Sequence, residues 1–92
     1  MQTSVRVDWG SLEGPYCSGL WGCEEGTFRA PYPFTEMATL IEGHLVITDS
    51  DGNVTEVKPG NCFMATKGEL VTWEVRKACV KAFLAIIEPS TP

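Results

Sequence analysis

The sequence predicts a single all-β domain closed as a barrel or a sandwich, and three observations predict it. Nearly every apolar run is short, β-branched or aromatic, and bounded by Gly, Pro or Asp, which is the pattern of strands. The runs recur at about one per ten residues, a spacing that favours antiparallel sheets over alternating strands and helices. No stretch carries a convincing helical period.

In chain order the strands are expected at Ser4–Trp9, Gly19–Glu24, Gly26–Ala30, Met37–Ile41, His44–Thr48, Val54–Val57, Cys62–Ala65, Val71–Arg76 and Val80–Ile87. Pro31 and Pro33 keep the approach to the fourth strand extended, because proline fixes its own φ and disfavours the helical region for its predecessor. Between the fifth and sixth, Asp49-Ser50-Asp51-Gly52-Asn53 supplies residues that tolerate positive φ, so a hairpin is predicted there. Pro59-Gly60 and Lys67-Gly68 place turns on either side of Cys62–Ala65. No linker, repeat or low-complexity stretch divides residues 1–92, and Pro89-Ser90-Thr91-Pro92 is expected to fray.

Ninety-two residues suffice for one modest core, burying roughly 60–65% of the surface of the unfolded chain. A hydrophobic content of 43% with 21% charged residues is ordinary for a globular protein. The net charge of −5, with seven scattered Lys and Arg, argues against nucleic acid, which needs clustered cations. Met1 to Leu12 has no apolar run, so neither a signal peptide nor a membrane span is expected, and the predicted location is the cytoplasm. Without a secretory signal, Cys17, Cys23, Cys62 and Cys79 are expected to be reduced thiols acting as small buried hydrophobes.

Two segments carry a family resemblance. Gly26-Thr-Phe-Arg-Ala-Pro-Tyr-Pro-Phe-Thr-Glu36-Met-Ala-Thr-Leu-Ile-Glu-Gly43 resembles the first cupin motif, G-x5-H-x-H-x3/4-E-x6-G, and Gly60-Asn-Cys-Phe-Met-Ala-Thr-Lys-Gly68 resembles the second, G-x5-P-x-G-x2-H-x3-N. A closer likeness is to the small single-domain cupins related to the ureidoglycine aminohydrolase cupin domain, with the pattern W-x-C-x-x-G-x-F, E-x6-G, W-E-V and K-x-[YF]. Here these are Trp21 to Phe28, Glu36 to Gly43, Trp73-Glu74-Val75 and Lys81-Ala-Phe83, spanning about residues 17–87. Such matches, dispersed but in register, are more specific together than singly. The resemblance implies a cupin-type jelly-roll β-barrel.

The departures from the motifs bear on chemistry. The first-motif histidine positions fall at Tyr32 and Phe34 or nearby, the second-motif histidine falls near Val71, and only Glu36 remains of the usual ligands. Thr66 replaces the second-motif proline, and Asn61 stands where an acidic residue often follows the turn glycine. A barrel metal site needs three or four convergent N and O ligands, and the chain has one histidine, so no metal and no cofactor is expected. Cys17 and Cys23, six positions apart, are too far apart for a zinc knuckle. His44 follows the motif glycine and alternates with Val46 and Thr48, which reads as strand surface.

Alternation puts Glu36, Ala38 and Leu40 on one face of their strand, and the family likeness turns that face inward. A buried carboxylate must be paired, hydrogen-bonded or neutralised; Lys81 and Arg29 are the candidate partners. The result is either a polar cluster at the bottom of a ligand pocket or a solvated salt bridge at the rim. Trp21, Trp73, Tyr32, Phe34 and Phe83 are the aromatic side chains able to line a pocket or fill a plain core, with Trp73 the foremost pocket candidate. The reading favoured is a metal-independent barrel binding a small molecule through Glu36, Lys81, Trp73, Tyr32, Arg29 and Phe83. The alternatives are a metal-dependent enzyme acting on a small nitrogenous metabolite such as ureidoglycine, as the resemblance implies, and a structural or regulatory barrel that holds nothing. A homodimer is also expected, with the N-terminal strand covering a sheet edge or exchanging between subunits, and with Ile41 and Ile47 on outer faces.

Overall fold

The computed structural model describes residues 2–87, so the expectation for the tail at Pro89–Pro92 lies outside the described residues. Seven strands are present: β1 (Thr3–Gly10), β2 (Tyr16–Cys23), β3 (Gly26–Pro31), β4 (Thr35–Thr48), β5 (Val54–Val57), β6 (Cys62–Ala65) and β7 (Leu70–Ile86). All pair antiparallel. The described residues contain no helix, hence none long and apolar enough to cross a membrane.

Seven strands replace the nine expected because two pairs are continuous. Met37–Ile41 and His44–Thr48 are both part of β4, and Val71–Arg76 and Val80–Ile87 belong to β7, which ends at Ile86. Gly43 and the polar stretch Arg76-Lys77-Ala78 read as breaks in the sequence, yet here they are the places where two long strands change register without separating. The β4–β7 ladder shifts between Leu40 and Glu42, between Glu42 and His44, and between His44 and Leu45, the local irregularity that bends and twists a strand.

That bend makes the fold. Beyond it the N-terminal half of β7 pairs with β3 and with the end of β4, which in turn pairs with β5. Before it, the C-terminal half of β7 pairs with β2 and with the start of β4, which pairs with β6, while β1 adds to β2 as an edge strand. Two sheets therefore share β4 and β7, giving a jelly-roll-like all-β fold. Leu40, Leu45, Val57, Val71, Trp73, Val75, Cys23 and Cys79 are buried between them, and Cys17, Ala38, Phe83 and Ala85 form a second cluster toward the other end.

The irregularity also changes which residues face inward. On β4 the buried positions are Glu36, Ala38 and Leu40 before it, whereas after it Leu45 and Val46 are both buried and Ile47, partly buried, packs on the core. Ile47 is thus corrected from an outer to an inner position, while Ile41, inside the irregular stretch, is exposed. His44 lies half-buried, its Nε2 3.4 Å from a Glu56 carboxylate oxygen. The expectation of four buried cysteines holds for Cys17, Cys23 and Cys79 but not for Cys62, which is exposed, its sulfur 3.1 Å from the Thr39 hydroxyl. Thr39 pairs with Cys62 on the outward face of β4, opposite to Ala38.

The hairpin at Asp49–Asn53 forms through its own side chain: one Asp49 carboxylate oxygen accepts from the backbone N–H groups of Asp51 and Asn53, both at 2.9 Å, and Gly52 takes φ +86°. Gly43 is the more demanding glycine. Its φ is +102°, and an added Cβ would lie 2.5 Å from the carbonyl oxygen of Ala78 and 2.8 Å from the Cys79 sulfur. Gly43→Ala should therefore destabilise the protein by about 2 kcal/mol or more, from left-handed strain plus the clash. Urea denaturation checks this, and Gly52→Ala, with φ +86° but open space around its Cβ, should cost less.

Candidate functional site

The inward faces of β2, β3, β4 and β7 line a half-open cavity of about 330 Å³. Alternation explains its lining. On β3, Phe28 and Ala30 face in, followed by Tyr32 just past the strand, while on β7 the inward positions are Val71, Trp73, Lys81 and Phe83. Trp21 on β2, Phe34 and Glu36 complete the walls, and Thr3, Ser4, Val5 and Leu12 of the N-terminal hairpin close one side.

Trp73 is the centre of the aromatic wall. Its ring lies 5.6 Å from Trp21 edge-on, 5.6 Å from Phe28, 6.0 Å from Tyr32 and 5.9 Å from Phe63, separations at which aromatic pairs attract beyond their burial alone. Trp73 is 2% exposed, and its indole N–H has no hydrogen-bond partner. A buried donor left unmade costs free energy, and Trp73 borders both this cavity and a smaller one of about 120 Å³.

Against this wall sits a charged pair. Glu36 is 3% and Lys81 5% exposed, and the Lys81 ammonium donates to the Glu36 carboxylate and, at 3.2 Å, to the Tyr32 hydroxyl. The register explains how they meet. Lys81 stands opposite Leu40 on β4, four residues along the same face from Glu36, so the two long side chains lean toward each other over the small Ala38. Ala85 and Ala65, the two cross-strand neighbours of Glu36, leave its carboxylate room.

Lys81 Nζ also lies 4.7 Å from the centroid of the Trp21 ring and 4.6 Å from that of Trp73, within the range of a cation–π contact. Burial pulls the Lys81 ammonium below the usual lysine range, and the charge and hydrogen bond of Glu36 act against that pull. Burial, together with the neighbouring Glu36 charge, raises the Tyr32 phenol well above its ordinary value. The thiols of Cys17, Cys23 and Cys79 are raised too, by burial above all.

Of the residues singled out in the sequence, Glu36, Lys81, Tyr32, Trp73 and Phe83 come together along this cavity, and the carboxylate lies inside rather than at a solvated rim. Arg29 does not join them. It alternates with the inward Phe28 and Ala30, so it is exposed on the outer face of β3. Phe28, which lines this cavity, and Phe63, which lines only the smaller one, lie outside the sequence-derived set. Phe28 was within reach of the alternation rule, whereas Phe63 depends on β6 pairing beside the start of β4, which no local pattern reveals.

The chain is similar over residues 10–83 to the EutQ-like cupin domain. It belongs to that family. Among solved structures, a protein of unknown function from Rhizobium leguminosarum bv. viciae 3841 is similar with 21% identity and a TM-score of 0.79, covering 96% of this chain and 84% of that one. The Clostridium difficile EutQ protein gives 20% identity and a TM-score of 0.77 over 92% of this chain and 68% of that one. A putative ethanolamine utilization protein Q from Salmonella typhimurium LT2 gives 14% and 0.75 over 91% and 68%. At these identities the likeness is one of fold. No functionally curated protein matches the sequence.

The metal implied by cupin barrels in general can be tested on the donor set of this EutQ-like cupin. Tyr32, Phe34 and Val71, at or near the three motif histidine positions, all line the cavity, but they offer one phenol and no imidazole. Glu36, the remaining donor, already holds an ammonium, whose charge would repel a cation approaching the same carboxylate. Among the described residues no group of three His, Cys, Asp or Glu side chains converges. The residues present do not fit a metal ion.

Removing one partner of a buried ion pair leaves the other charge uncompensated. Lys81→Met should therefore cost about 3–5 kcal/mol of stability, and adding Glu36→Gln to it should restore part of that loss. A double-mutant cycle by urea denaturation measures the coupling.

Proposed function

We propose that this EutQ-like cupin binds a small, uncharged, largely apolar molecule with one hydrogen-bonding end, without a metal ion. The observation that carries the reading is the Lys81–Glu36–Tyr32 cluster, buried in an aromatic cavity and bordering its free space. Mostly apolar walls with a few placed polar groups are the usual character of a small-molecule site. The cavity is at the small end of the roughly 300–1,000 Å³ typical of such sites. The ion pair is neutral as a whole, so it favours neither an anion nor a cation, and it offers hydrogen bonds to a polar end. The unpaired N–H of Trp73 offers another.

A metal-dependent reaction on a small nitrogenous metabolite such as ureidoglycine has less support, because it needs a ligand set that the cavity does not supply. A barrel that holds nothing would respond to no ligand at all. A thermal-shift screen of small uncharged alcohols, amides and aldehydes separates these readings. A true ligand at a hundred times its dissociation constant should add about 2.7 kcal/mol to wild-type stability. In Glu36→Gln, destabilised by the uncompensated Lys81 charge and checked for a native circular-dichroism spectrum before titration, that stabilisation should disappear. Unchanged stabilisation in the variant would remove Glu36 from the site.

In the same reading the protein works in the cytoplasm as a homodimer. The support is an uncharged outer row in which Leu84, Met37 and Met64 stand side by side across β7, β4 and β6, all exposed. Uncharged apolar surface lets two copies of an acidic chain approach. Light scattering at micromolar concentration should give twice the 10.1 kDa chain mass, and Met37→Lys should return it to the monomer. A wild-type protein found only as monomer would end the dimer reading.

A further inference from the structure

The same cavity places an amine where a ligand would sit. We infer that Lys81 captures small aromatic or apolar aldehydes and ketones covalently, as a protonated imine, with Glu36 as the proton acceptor and donor. The inference rests on the binding reading above and adds the class of compound and the bond that forms.

The geometry carries it. Lys58, Lys67 and Lys77 are exposed, whereas Lys81 points into an apolar cavity with its ammonium against one carboxylate, one phenol and two indole faces. A lysine acts as a nucleophile only as the free amine, and desolvation among apolar groups is one way a protein makes that form accessible. Glu36 supplies the other requirement, a base in direct contact with Nζ. In an apolar site, passing the proton from ammonium to carboxylate turns two buried charges into two neutral groups.

The atoms balance as follows. The Lys81 ammonium gives a proton to the Glu36 carboxylate, and the freed Nζ lone pair forms a bond to the carbonyl carbon while the C=O π pair moves onto oxygen. That oxygen takes the proton from Glu36, and the nitrogen returns one to it, leaving a neutral carbinolamine. The hydroxyl then takes the Glu36 proton and leaves as water as the nitrogen lone pair closes the C=N bond. The sum is ammonium plus carbonyl compound giving iminium plus water, with no oxidant or reductant consumed. The product keeps one positive charge beside the Glu36 carboxylate and between the rings of Trp21 and Trp73, so the surroundings that hold the ammonium hold the iminium also. The walls then select the rest of the molecule by shape and apolarity.

The test uses the full wild-type chain with benzaldehyde as probe and sodium cyanoborohydride to trap the imine as a benzylamine, read by intact mass and peptide mapping. Burial among apolar groups favours the free amine of Lys81, and the cavity holds the aldehyde beside it, so Lys81 should be benzylated several-fold faster than the exposed Lys58, Lys67 or Lys77. Its rate should saturate with benzaldehyde and fall when benzyl alcohol, which has the same ring but cannot form an imine, competes; the rates at the exposed lysines should do neither. Labelling of Lys81 no faster than the exposed lysines, with benzyl alcohol still raising the unfolding temperature, would overturn covalent capture and leave the binding reading standing. No selective labelling and no thermal response to any uncharged ligand would overturn both.

Discussion

Two opposite charges held out of water set the terms for the rest of this barrel. Desolvating a carboxylate and an ammonium costs several kcal/mol each, and their mutual attraction offsets this only when geometry and further hydrogen bonds are good. The surroundings of Glu36 and Lys81 answer that demand from three sides. Tyr32 accepts a second hydrogen bond from the ammonium, the faces of Trp21 and Trp73 supply π density to it, and the small side chains at Ala38, Ala65 and Ala85 let the carboxylate sit without crowding.

The backbone delivers the pair through the long strands β4 and β7. On β7 the buried positions are odd-numbered from Val71 to Ala85, on both sides of the bend. On β4 they are even-numbered to Leu40, and after the irregular stretch Leu45 and Ile47 turn inward. Had β4 kept its alternation straight through, Glu36 could face the cavity only if Leu45 and Ile47 faced out, and the core would lose their packing. Gly43, with its positive φ and its close approach to Ala78 and Cys79, is where the chain accommodates both requirements. The polar site and the apolar core thus depend on one local distortion.

This explains how much the sequence disclosed. Strand type was legible throughout, because alternation and turn chemistry are local and the Asp49–Asn53 hairpin closes through its own side chain. The inward direction of Glu36, Ala38 and Leu40 followed from two-residue alternation once a family likeness oriented the face. Lys81 was legible by the same rule. Continuity was not: a glycine and a polar triplet look the same whether a strand ends or bends there, so the sequence pattern divides two long strands into four and points Ile47 outward. Arg29 failed for a related reason, since adjacency to Phe28 in sequence means the opposite face in a strand. The placement of Phe63 beside Trp73 depends on which strand lies next to which, and that is a property of the closed fold.

The loss of imidazoles from this barrel need not be read as the loss of a site. A carboxylate facing an apolar cavity requires a positive partner, and where a metal ion would supply it through histidines, the histidine positions here lie at or near Tyr32, Phe34 and Val71, which form wall instead. Lys81 supplies the charge from within the chain. That exchange changes the chemistry on offer: a metal centre accepts electron pairs from a ligand, whereas a lysine whose proton can be taken up by Glu36 donates one. The aromatic cage serves either protonation state, giving π density to the ammonium and apolar contact to the amine. The proposed imine chemistry would make the centre of this cavity nucleophilic, whereas a metal centre would be electrophilic.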